Sequence, residues 1–194
     1  MPIPPFTIDG ILPPYVGIDG PGGAPNDMSP YVASVPEVVA TLATTEERKD
    51  ILRGWLQHRA QLRALGFSRG FQWLDGSFVE QKDPKDLDVV TFLYRPAHIL
   101  GPQQLGHVMA ANLGLFSRAP VKQNFKLDAF FLDLNGDPRA LVNSTRYYLG
   151  LFSHRRVDDL WKGMLEVSLD SADDVAALAA LGQPLAPVNQ VGVP

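Results

Sequence analysis

Cysteine is absent from this chain of 194 residues, which excludes disulfides, thiolate catalysis and Cys-ligated zinc. Positive charge is also in short supply. Lys and Arg number 17 against 21 Asp and Glu, giving a formal net charge of -4 and a pI near 5.5. That balance argues against a broad basic surface for duplex nucleic acid. It leaves room for a local basic groove, because a small RNA target needs only a few well-placed Lys and Arg. No apolar run approaches the ~20 residues that span a bilayer. The start of the chain, Met1-Pro2-Ile3-Pro4-Pro5, lacks the basic region and apolar core of a signal peptide. The expectation is a cytoplasmic protein with no membrane partner. The sequence also lacks a Gly-x-x-x-x-Gly-Lys loop, which argues against a P-loop NTPase. His58, His98, His107 and His154 show no metal-ligand spacing, and Ser117, Ser144 and Ser153 have no recognisable nucleophile context. His58 is expected at a surface or boundary position.

What is present suits one small domain with a proper core: 45% hydrophobic and 20% charged residues. Residues 1–36 hold nine of the 17 prolines and the run Gly20-Pro21-Gly22-Gly23. This stretch reads as an irregular arm whose Ile8, Ile11, Leu12, Tyr15, Val16 and Ile18 wrap on the core. The domain proper is expected over 37–182, with a loose Pro-rich tail over 183–194. A helix is predicted from about 45 to 65, opened by a capping box of Thr44 and Glu47 and stopped at Gly66. Strands are predicted at 71–74, 87–93, about 125–132 and 164–169. Further helices are predicted at 102–116, at 139–150, and after Ser171, with Asp173 and Asp174 complementing the last dipole. Helices interleaved with strands define an α/β (α+β) class, a small mixed sheet flanked by helices.

The most informative stretch runs from Asp75 to Val90. A Gly76-Ser77 turn follows the first strand, and Asp86 and Asp88 stand at the entrance of the next, Leu87-Asp88-Val89-Val90-Thr91-Phe92-Leu93. Residues two apart on a strand share a face, their Cα atoms roughly 6.5 Å apart. Two carboxylates side by side repel unless something positive lies between them, and a hard divalent cation is the usual answer. A third acid, Asp128, is centred in Phe125-Lys126-Leu127-Asp128-Ala129-Phe130-Phe131. Gly76 lets the backbone approach a phosphate, Ser77 offers a hydroxyl, and Lys82 lies where a cation could meet a triphosphate oxygen. Arg155, Arg156 and Lys162 form a second basic cluster for a triphosphate tail or an acceptor's phosphates. Asp75 and Asp133 read as turn residues at strand ends, and Asp83 and Lys85 as solvated turn positions.

The ordered set of strand, Gly-Ser, Asp-x-Asp strand and later acidic strand resembles the nucleotidyltransferase (polymerase-β-like) superfamily over roughly residues 70–133. The resemblance implies that Asp86, Asp88 and Asp128 are catalytic and bind Mg²⁺. Two ions are expected, with Mn²⁺ as a possible substitute, and Gly76, Ser77 and Lys82 would bind the nucleotide. It further implies transfer of NMP from an NTP to an acceptor hydroxyl, on an RNA 3′ end, a protein or a small molecule. Little chain follows the fourth strand, so the size is similar to minimal bacterial members, including those of toxin–antitoxin or phage-defence operons, and unlike processive polymerases. A partner protein or a homo-oligomer could complete the pocket. Two competing expectations are a catalytically weak nucleotide-binding module that restrains a partner protein, antitoxin-like, and a metal-dependent phosphohydrolase.

Overall fold

A computed structural model describes residues 3–170 and 172–182. Five strands form one mixed sheet: β1 (Tyr31–Val32), β2 (Gly70–Asp75), β3 (Leu87–Leu93), β4 (Leu127–Asp133) and β5 (Leu165–Ser168), in the order β1-β5-β2-β3-β4. β2 runs antiparallel to both β5 and β3, whereas β3–β4 and β1–β5 are parallel. Seven α-helices accompany the sheet among the described residues: α1 (Val35–Leu42), α2 (Glu46–Ala64), α3 (Pro102–Ala111), α4 (Leu113–Phe116), α5 (Arg118–Phe125), α6 (Pro138–Phe152) and α7 (Asp174–Ala180). The fold is therefore the small mixed α/β class that the alternation of patterns predicts.

Strand periodicity divides the apolar side chains between two layers. One face sends Leu74, Leu87, Val89, Leu127, Ala129 and Val167 into a core with Val38, Leu52, Trp55, Leu62, Val121 and Leu178. The other sends Trp73, Val90 and Phe92 against Phe152, with Leu141, Tyr148 and Leu151 of α6 closing over them. The first core is crossed by a polar spine. Gln72 accepts from Trp55 Nε1 and from Arg59 Nη1, both at 2.9 Å, and donates to Thr91 Oγ1 at 2.9 Å. Arg59, wholly buried, also donates to both oxygens of Asp174 and to the Ser168 carbonyl. Asp174 receives Arg63 as well, at 2.7 Å. This network ties α2, β2, β3, β5 and α7 together in an interior where an unpaired polar group is costly.

Several elements differ from the sequence expectation. The cap of α2 is Thr45, which accepts from Arg48 N, one residue later than Thr44. The stretch read as an arm supplies β1 and the Ser34–Glu37 capping box of α1, and it buries Ile11 and Leu12 while Ile8 and Ile18 stay exposed. The helix expected over 102–116 breaks at Asn112, whose side chain donates back to the Val108 carbonyl, a local bond that competes with helix continuation. α5 follows and was not anticipated, its Pro120 being tolerated in the first turn. β4 begins at Leu127 because Lys126, at φ 57°, caps α5 in the left-handed conformation. Asp174 opens α7 but turns inward to Arg59, so it is a buried ion partner and not only a dipole complement. Ser171 and the 183–194 tail lie outside the described residues.

His58 is fully buried on α2, against the surface position expected of it. Its Nε2 donates to the Leu115 carbonyl at 2.9 Å, and its Nδ1 is buried with no hydrogen-bond partner. Burial holds its pKa down to about 4. The unfolded chain takes up a proton near pH 6.5 that the fold refuses until about pH 4, so stability present above pH 6.5 is lost on acidification. His58→Gln should recover about 2 kcal/mol of that loss at pH 5 relative to pH 7. Urea titrations of both proteins at the two pH values check this, and equal slopes would contradict it. Asp174→Ala should cost ~3–5 kcal/mol by leaving Arg59 buried without its carboxylate; a urea midpoint close to wild type would refute that role.

Candidate active site

Strand register assembles the site. Asp75 on β2 pairs with Asp88 on β3, and Asp88 pairs with Asp128 on β4. Directly opposed residues point to one face, with adjacent strands ~4.8 Å apart. The three carboxylates thus form a row across the sheet, on the face that also carries Trp73, Val90 and Phe130. Asp86, just before β3, joins them at one end. All four open into a cleft of about 560 Å³ that also takes in Gly76, Ser77, Glu80 and Lys82 from the loop after β2. Arg118 and Lys122 reach it from α5, while Phe130 and α6 residues Tyr147, Leu151 and Phe152 form an apolar wall. His154, Arg155, Arg156 and Val157 line the far rim. Every residue singled out from the sequence as a ligand or nucleotide contact therefore lies in one cleft.

The turn is built to meet Asp88. Gly76 opens a 3-10 turn, Gly76–Val79, with φ +74°, and a Cβ there would stand 1.8 Å from Asp88 Oδ2. The backbone thus touches the central carboxylate as only glycine permits. Lys162, 3% exposed, donates to the Gly76 carbonyl at 2.9 Å and stands 3.0 Å from Asp75 Oδ1 and 3.6 Å from Glu80 Oε1. The Asp75 contact has ion-pair distance without hydrogen-bond geometry, since Asp75 Oδ1 makes no hydrogen bond. Arg48 donates to the carbonyls of Phe78, Glu80 and Lys82, fixing the rest of the loop from below. Lys82 reaches Glu80 Oε2 at 2.6 Å from an exposed position.

The carboxylates differ in partners. Arg118 grips both oxygens of Asp128 at 2.5 Å, and Lys122 Nζ meets Asp86 Oδ2 at 2.5 Å. Asp88 forms neither a hydrogen bond nor an ion pair through its carboxylate among the described residues. Burial first, then Asp86 and Asp128, push its pKa up to about 6, against the opposing charges of Lys162 and Arg156. Asp75 is pushed to about 7 by burial, with Lys162 pulling the other way. Asp75 is thus a buried, cation-paired member of the row, not the turn residue expected, and Lys162 a buried support more than a docking cation. Asp133 is likewise engaged, by Arg95 at 2.5 Å.

Among the described residues no three acidic or histidine side chains stand close enough to hold an ion between them. The donor set nevertheless fits a hard cation: hard oxygens, a central partly buried carboxylate with no partner, and two flanking carboxylates held by side chains with solvent to retreat into. The sequence reading missed Arg48, Arg118 and Lys122. The signal for the last two was their i, i+4 spacing, hidden because α5 itself was unpredicted.

A five-stranded mixed sheet with a carboxylate row in a cleft beside a glycine turn defines the structural class. Over residues 4–168 the chain matches the model of a family described as a family of unknown function (DUF6932), and it belongs to that family. Comparison with curated proteins and with solved structures returns no match.

Gly76→Ala combines a left-handed backbone position with a clash against Asp88, and should cost ~1–3 kcal/mol. Chemical denaturation measures it, and a stability within ~0.5 kcal/mol of wild type would show that the turn is not locked against Asp88.

Proposed function

We propose that this chain is a divalent-metal-dependent nucleotidyltransferase that moves NMP from an NTP to an acceptor hydroxyl. The observation that carries the reading is Asp88: a partly buried carboxylate without a partner, central in a row of acids and pressed against Gly76. A structural role gives no reason to gather these acids, because their mutual repulsion raises the free energy of the fold. The cleft's other half suits a polyanion. Its lining counts six Lys and Arg against five Asp and Glu, although the chain as a whole carries -4.

Asp86, Asp88 and Asp128 would hold Mg²⁺, or Mn²⁺ in its place. Bound there, the metal neutralises phosphoryl oxygens and makes the acceptor hydroxyl more acidic. The chain's own groups divide the remaining work. Gly76 and Ser77 receive a phosphate at the start of the 3-10 turn, where backbone N–H groups lack intrahelical acceptors. Lys82 and the rim residues Arg155 and Arg156 bind the rest of the polyphosphate. Phe130, Tyr147 and Leu151 offer an apolar shelf for a base. Asp128 takes the proton as the acceptor oxygen bonds to the α-phosphorus, and the bond from that phosphorus to the bridging oxygen breaks to release pyrophosphate.

A second reading, a nucleotide-binding module that restrains a partner protein, draws on the pairing of Asp86 and Asp128 with cations and on the exposed Val142, Tyr147 and Leu149 of α6. Incubation with each α-³²P-labelled NTP, Mg²⁺ and total cellular RNA and protein separates the two. Transfer predicts label on an acceptor together with pyrophosphate. Asp88→Asn should lower that signal by ~100-fold or more, beyond what residues that merely support ligands cost. The same change should leave the fold intact or slightly stabilised by removing a repelled charge. Metal-dependent NTP binding without pyrophosphate would favour the restraining module, and wild-type transfer by the variant would remove Asp88 from the site.

A further inference from the structure

The two cations on α5 occupy positions that a transferase must use differently when loaded. Arg118 and Lys122 lie four residues apart, hence on one face of the helix. That helix is anchored by Val121 and Phe125, both buried. The Arg118 and Lys122 side chains are 64% and 51% exposed, respectively, so the backbone is fixed while the charged ends are free to turn. Arg118 covers both oxygens of Asp128 and lies over the Phe130 ring at 5.2 Å, and Lys122 covers Asp86. Each therefore blocks a carboxylate assigned to the metal. Arg48, Lys162 and Arg59, by contrast, are buried and committed to holding backbone or buried acids.

We propose that Arg118 and Lys122 are exchange cations. They neutralise Asp128 and Asp86 in the metal-free protein, yield those carboxylates to the divalent ion, and then bind the polyphosphate that arrives with it. The inference rests on the metal assignment made above and adds a class of ligand, a polyphosphate chain, to two residues outside the motif. Exchange has a thermodynamic signature. A cation that competes with the metal for a carboxylate weakens metal binding, and the same cation strengthens polyphosphate binding once freed. Metal and polyphosphate then favour each other through these two side chains.

The test uses the full chain with Mn²⁺ and inorganic tripolyphosphate as probes. Mn²⁺ alone is titrated by electron paramagnetic resonance of the free ion, and Mn²⁺–tripolyphosphate is titrated by calorimetry into Mn²⁺-saturated protein. Arg118→Gln and Lys122→Gln should bind Mn²⁺ alone about tenfold more tightly and tripolyphosphate about tenfold more weakly. The opposed signs are the diagnostic result. Loss of both affinities would assign the side chains a structural role. A gain in both would make them blockers without a ligand, and no change in either would also overturn the proposal. Asp88→Asn is the control on the parent reading. If neither wild type nor the Arg118 and Lys122 variants bind Mn²⁺ in an Asp88-dependent way, the metal assignment itself fails. If wild type does so and the variants leave both affinities unchanged, only the exchange fails.

Discussion

Strand register places Asp75, Asp88 and Asp128 side by side on one face of the sheet, and much of the molecule is arranged around that repulsion. Like charges at neighbouring cross-strand positions destabilise a sheet. The fold offsets the cost unevenly. Asp75 is matched with the buried Lys162, Asp86 and Asp128 are matched with exposed cations from α5, and Asp88 is left with burial and a raised pKa. Along the row the partner is buried at Asp75, absent among the described residues at the central Asp88 and exposed at Asp128.

Two kinds of positive charge result, and their burial separates them. Arg48, Arg59 and Lys162 are inaccessible and spend their donors on carbonyls, Gln72, Asp174 and the Asp75–Glu80 pair. Removing any of these would leave buried acceptors unsatisfied, so each holds the loop or the sheet in place, and Lys162 also sets the field at Asp75 and Asp88. Lys82, Arg118, Lys122 and Arg156 are exposed at the cleft and can change partners without cost to the core. Exposed ion pairs contribute little to stability. Their placement around acids is better understood as a feature of binding than of folding.

Legibility followed the range of the interactions. β3 was read to the residue, because Leu87–Leu93 is apolar apart from Asp88 and Thr91, and β2 and β5 nearly so. The Asp86–Asp88 pair and the Gly76–Ser77 turn were visible because their geometry is local. The helix from 118 to 125 was not, because Pro120 and the polar Lys122-Gln123-Asn124 mask a short apolar face of Val121 and Phe125. With α5 missed, Arg118 and Lys122 were missed. Lys162 was seen as one basic residue among several, yet its burial depends on Gly76, 86 positions away, and no local pattern carries that. His58 reads as a polar helix residue until α4 and α5 close over it and Leu115 supplies an acceptor.

The acidic pI of the whole chain and the basic lining of its cleft are compatible once the acids are located. Much of the negative charge lies on exposed surfaces such as Glu46, Asp50 and Asp158, and the four acids of the carboxylate cluster face inward to the cleft. A long duplex would meet the outer field and be repelled. On the proposed reading a short polyphosphate would enter the cleft, where Lys82, Arg155 and Arg156 line the wall and the outer acids are further away and screened by salt. An acceptor in that reaction would approach past Tyr147, Val157 and the rim arginines. That geometry suits a flexible end or a small molecule presenting one hydroxyl better than a rigid helix, because a single-stranded terminus can bend to a point that a duplex surface cannot touch.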